Sequence, residues 1–168
     1  MTKTKKMAMV CMIAAVYAAV SLVLAPISYG NIQCRVAEAL NLVPILMPMS
    51  GWGVILGCFL TNFIGVINGL NPLGMMDCLV GTFATAVAVY GVVKCKDIRF
   101  KGIPWLSMLM PVIANGIIIG IELGVVFFQD NLLIGTLISG LEVAIGELVA
   151  MVLGLFLIKA LEKTEIFK

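Results

Sequence analysis

The sequence predicts an all-α integral membrane protein, with six transmembrane helices in one compact bundle and both termini cytoplasmic. Three observations carry that expectation. The 168 residues are 62% hydrophobic and only 12% charged, with a mean hydropathy of +1.15, well above the balance of a soluble domain. The apolar residues gather in runs of membrane-spanning length, given that a hydrocarbon core takes roughly 20 mainly apolar residues of helix. Lysine and arginine cluster before the first run, between the fourth and fifth, and after the sixth. An even number of crossings puts all three clusters on one side.

The runs cover residues 7–25, 36–49, 51–70, 76–93, 103–128 and 132–161. The first follows Lys3, Lys5 and Lys6 and has the outline of a signal peptide, but its apolar core is long and further runs follow, so it reads as a retained span. The second is the shortest and carries Pro44 and Pro48, which predicts a tilted or kinked segment. The last two are long enough to tilt or to project from the bilayer. Lys94, Lys96, Arg99 and Lys101 join spans four and five, and Lys159, Lys163 and Lys168 end the chain. Of the eleven basic residues only Arg35 falls outside these clusters. Trp52 and Trp105 stand at cytoplasmic span ends, where an aromatic belt places them. The outward connections are then 26–35, 71–74 and 129–131, and residues 1–168 form a single transmembrane domain.

Five scattered cysteines without a CxxC pair, and a complete lack of histidine, argue against a zinc site or a disulfide framework. No metal, cofactor or catalytic residue is expected. Rows of small residues, Gly53, Gly57, Gly65 and Gly69 in span three, Gly116, Gly120 and Gly124 in span five, and Gly146, Ala150 and Gly154 in span six, suit close helix packing in lipid. In span one, Ala14 with Ala18 and Ala15 with Ala19 form two overlapping smooth pairs, a surface for docking another membrane protein.

Ionisable groups within a bilayer cost about 2.5 to 3.5 kcal/mol on insertion scales and so face a cavity or a partner. Asp77, Glu122, Glu142 and Glu147 are such groups, joined by the polar amides Asn62 and Asn115. Counting about 1.5 Å per residue from the outer ends, Glu38 and Asp77 lie near the outer surface. Glu122, Asn62 and Glu142 follow, with Asn115 and Glu147 near the midplane. Asn115 and Glu122 share a helix face opposite the glycine row of span five. Glu142 and Glu147 point about 140° apart, so one faces a central site more squarely than the other. An outward-opening cavity lined by carboxylates and amides prefers a ligand rich in N–H donors or carrying a positive charge, and a small planar heterocycle with amide-like edges fits these demands. Arg35 and the asparagines supply donors for a carbonyl oxygen, and Tyr29 a flat surface.

The stretches "APISYGNIQCRVAEAL", "LGCFLTNFIG", "NPLGMMDCLVGTFAT" and "VAIGELV" resemble the QueT family of queuosine-precursor transporters, in order and over almost the whole chain. The resemblance implies the substrate-binding S component of an energy-coupling factor (ECF) importer. Such a component works with a membrane-embedded coupling subunit and two cytoplasmic ATPase subunits, in a prokaryotic plasma membrane. It implies queuine or a related deazaguanine base as the small-molecule substrate, with no nucleic acid as partner. It matches Arg35 and Glu38 to "RVxEAL", Asp77 to the acidic position before "GT", and Glu147 to the "GE" of the last span; Glu142 has no counterpart. The alanine pairs of span one take the coupling-subunit surface. A GxxxxGK[ST] phosphate loop is missing from the sequence, so ATP-driven transport needs another chain. The alternatives are an S component for another heterocycle or vitamin, or a self-sufficient proton-coupled carrier using Glu122, Glu142 or Glu147. The lack of an apparent internal repeat counts against the latter.

Overall fold

The computed structural model describes residues 2–28 and 35–164. Five helices are long and apolar enough to cross a membrane: α1 (Lys3–Val23), α3 (Ser50–Ile67), α4 (Met75–Cys95), α5 (Trp105–Phe127) and α6 (Leu132–Glu162). A single turn, α2 (Ala25–Ser28), follows α1. The described residues contain no strand beyond the isolated bridge between Phe100 and Ile103.

The second predicted run departs from the expectation of a sixth ordinary span. It is a ten-residue 3₁₀-helix, Val36–Ile45, and eight of its residues are buried. Pro44 lies inside it, where an α-helix would set its ring against a preceding carbonyl and lose a hydrogen bond. The tighter 3₁₀ winding rises about 2.0 Å per residue, so ten residues cover about 20 Å rather than the 15 Å of an α-helix.

The direction of this segment follows from its neighbours. A Cβ at Gly53 would lie 2.5 Å from the Val10 carbonyl oxygen, and one at Gly57 would lie 2.7 Å from Tyr17 Cβ. Residues rise together along α1 and α3, so the two helices are parallel. The chain therefore returns between them, and Val36–Ile45 carries it back through the bundle. Leu42 and Ile45 pack with Met108, Val112, Met151 and Ile158, while Ala37 and Val43 join Tyr17, Val54 and Val89. Gly154 makes room for this passage, since a Cβ there would sit 2.6 Å from the Ala39 carbonyl oxygen.

The remaining helices alternate in direction. The Asn62 side chain reaches the Asp77 carbonyl near the junction of α3 and α4, whereas Gly51 at the far end of α3 meets Val89. Gly74 (φ +67°) leads into α4 in a left-handed conformation that glycine adopts without strain. The glycines of α5 bring α6 close: a Cβ at Gly140 would lie 2.6 Å from the Gly116 carbonyl oxygen. Leu79, Phe83, Leu141 and Phe156 are exposed around the bundle, the side chains a lipid environment solvates.

This alternation gathers the start of α1, the α4–α5 connection and the end of α6 at one end. The described members of the three basic clusters lie there, and Arg99 bridges Glu162 at 2.9 Å. Trp52 and Trp105 are exposed near the same end.

Gly57→Ala is expected to lower stability by about 1–3 kcal/mol, the usual range for overpacking. Its Cβ would meet Tyr17 Cβ at 2.7 Å and the Ala14 carbonyl oxygen at 3.0 Å, neither of which a rotamer change can move. A lower thermal unfolding midpoint in detergent checks this.

Candidate functional site

The polar residues of the 3₁₀ segment meet because of its winding. With three residues per turn, side chains three apart eclipse, and the Asn41 amide donates a short hydrogen bond to Glu38 Oε2. The Tyr17 hydroxyl, reaching across from α1, donates another to Oε1. Both carboxylate oxygens of this buried glutamate are thereby occupied.

Arg35, at the head of the segment, faces α3 and α4. Its Nη2 lies 3.4 Å from Asp77 Oδ2 and its Nη1 lies 3.7 Å from Cys58 Sγ. Asp77 Oδ2 also accepts from Asn71 Nδ2 at 2.8 Å, while the Asp77 backbone carbonyl accepts from Asn62 Nδ2 at 3.0 Å. Asn71 is itself held in the turn before α4, its Oδ1 accepting from the Leu73 amide at 3.0 Å. On the opposite wall, α5 and α6 run antiparallel, and Asn115 Nδ2 donates to Glu147 Oε1 at 2.6 Å.

Arg35, Glu38, Asp77, Asn115 and Glu147 line one interior cavity, with Gly81, Thr85, Ile119 and Val143 completing the wall. Its free volume is about 20 Å³, room for about one water molecule. Gly81 is needed where it stands: a Cβ would collide with the Asp77 carboxylate and lie 2.8 Å from Asn62 Nδ2.

Among the described residues, several buried polar atoms of the bundle are left without a partner, among them the Ser21, Ser28 and Ser50 hydroxyls and Asn41 Oδ1. The buried oxygens Glu147 Oε2, Asn62 Oδ1 and both of Glu122 likewise have no protein partner. Buried polar atoms are normally satisfied, and the unfilled carboxylate and amide oxygens are acceptor positions. Of these, Glu147 Oε2 belongs to a residue that lines the cavity, where it can accept from an N–H donor.

The structure brings together five of the residues anticipated from the sequence and separates others. Asn62 sits behind the wall, bound to Asp77 and Cys58. Glu122 is buried on α5 outside the lining. Glu142 is half-buried and absent from the lining, and Glu147 takes the inward direction on α6. Tyr29, also anticipated, lies outside the described residues, as does Cys34; the four described cysteines are free thiols. The alanine pairs of α1 divide. Ala14 and Ala18 are buried within the bundle, Ala14 against α3, whereas Ala15 and Ala19 are exposed. Burial corrects the docking expectation for Ala14 and Ala18, because one helix presents adjacent residues about 100° apart. Sequence reasoning missed Tyr17, Asn41, Gly81 and Thr85. Tyr17 carried a usable signal, as a phenol in the middle of an apolar helix requires a partner.

A model of the QueT transporter family matches residues 7–163. The chain belongs to the QueT transporter family. It is accordingly a transporter rather than an enzyme, and a multi-pass protein of the cell membrane, in keeping with its five apolar helices. No curated protein and no solved structure matches it. In this QueT protein the polar cavity falls where the 3₁₀ segment, α4, α5 and α6 converge, so the transporter's central polar groups come from elements spread along the matched region.

Tyr17→Phe removes one donor from buried Glu38 and is expected to cost about 1–3 kcal/mol. Thermal unfolding of the purified variant checks it, with helical circular dichroism retained below the transition.

Proposed function

We propose that this QueT transporter is the substrate-binding S component of an ECF-type importer. It captures queuine or a related deazaguanine queuosine precursor from outside and delivers it inward with a membrane coupling subunit and two ATPase subunits. The observation that carries this reading is the open Glu147 Oε2 beside the donors Asn115 and Arg35 in one buried cavity. A guanine-like edge has adjacent N–H donors for a carboxylate and a carbonyl for an amide or guanidinium. Glu38 and Asp77 set the opposing wall, with Asn62 supporting Asp77 from behind, and Tyr29 belongs to the outer connection of the same reading.

A fused two-ring base exceeds the free space of about 20 Å³, so capture requires the walls to part. The wall most easily moved is the contact of Arg35 with Asp77 at 3.4 Å, which is longer than a tight charge-assisted hydrogen bond. The basic end of the bundle is taken as cytoplasmic by the positive-inside rule, with both termini there and Val36–Ile45 counting as the sixth crossing. Ala15 and Ala19, on the exposed face of α1, are the alanines left for contact with the coupling subunit.

Equilibrium binding to the purified chain, without ATP or partners, tests this. Queuine, aminomethyl-deazaguanine, guanine and several vitamins are titrated in detergent. Selective binding of a deazaguanine is expected, with Glu147→Gln weakening it by about 10-fold or more, the loss of one charged hydrogen bond. A folded sample that binds a vitamin and ignores every deazaguanine overturns the assigned substrate.

A further inference from the structure

Glu122 is not explained by the cavity described above. Its side chain is 2% exposed, and it is the one buried carboxylate among the described residues with neither oxygen partnered. Glu38 has both oxygens bonded, Asp77 is held by Arg35 and Asn71, and Glu147 has one bond. A protonated carboxyl would seek an acceptor and an ionised one donors. Glu122 has neither, so its surroundings satisfy neither form, and so costly a residue within a membrane signals a binding role.

Its place on α5 says what it binds. Asn115, Ile119 and Glu122 are spaced by four and three residues and share one helix face. The first two line the polar cavity. Glu122 continues that face away from the basic end, about 10 Å along the axis from Asn115 at about 1.5 Å per residue. An acceptor-only group beyond the cavity, whose own cation Arg35 is already paired with Asp77, suits a cation.

We infer that Glu122 forms a cation subsite, separate from the ring-binding cavity, that receives a primary ammonium group carried on a planar N–H-rich base. The inference rests on the proposed function for the ring and adds the charge of its substituent. The ring is held near Asn115 and Glu147, and the ammonium group extends along α5 to Glu122, where charge-assisted hydrogen bonds satisfy both oxygens.

The test compares two ligands with the same ring, aminomethyl-deazaguanine and the neutral hydroxymethyl-deazaguanine, by equilibrium binding to the full chain in detergent. The wild-type chain is expected to favour the cationic ligand by about 10-fold or more, the scale of one hydrogen bond to a charged group. Glu122→Gln is expected to collapse that ratio towards one. If that variant fails to fold, Glu122→Ala carries the same expectation, and the wild-type ratio needs no variant at all. Equal wild-type affinities, or a ratio that survives in the folded variant, overturn the subsite and leave the ring-binding proposal standing. If neither ligand binds the folded wild-type chain, the subsite falls, and the queuine titration described above decides the deazaguanine reading separately.

Discussion

Two neighbouring helices, α1 and α3, run parallel, and the chain between them must come back through the bundle. In lipid this return is constrained by the backbone, whose N–H and C=O groups have to be bonded internally or shielded by protein. A ten-residue segment containing Pro44 meets the constraint by winding as a 3₁₀-helix and by being enclosed on every side. Gly154 on α6 permits that enclosure, because a side chain there would run into the Ala39 carbonyl. The polar cavity follows from the same passage. Arg35, Glu38 and Asn41 are carried to the middle of the molecule because the segment that bears them is.

The charges within the bundle then divide into those already committed and those left open. Glu38 is committed to Tyr17 and Asn41, and Asp77 to Arg35 and Asn71. Glu147 is half committed, and Glu122 is uncommitted. A buried pair contributes little net stability once desolvation is counted, but breaking it leaves a costly charge. The committed groups therefore define the cavity wall, and the open acceptors define what can enter. This division gives the transporter a site rich in acceptors whose one cation, Arg35, is already drawn towards Asp77.

α1 has a double role. Its inward face supplies Ala14, Ala18 and Tyr17, so close approach to α3 and a hydrogen bond to the cavity come from the same turns. Its outward face supplies Ala15 and Ala19. A helix that touches the cavity through Tyr17 on one side and presents a smooth surface on the other links the site physically to the bundle exterior.

The sequence by itself determined the membrane setting, the five long helices, the common end of the basic clusters and most of the polar residues in the cavity. Hydropathy, charge placement and the small-residue rows act locally, and each can be read without knowing neighbours distant in the chain. The structure alone decided that residues 36–49 begin as a buried 3₁₀ return, which of the two alanine pairs faces outward, and that Glu147 rather than Glu142 reaches the cavity. Tyr17 and Asn41 were likewise revealed only as partners of Glu38. These outcomes depend on helix rotation and on the parallel pairing of α1 with α3. A shift of one residue turns a side chain by about 100°, and only packing against other helices sets where that turn points.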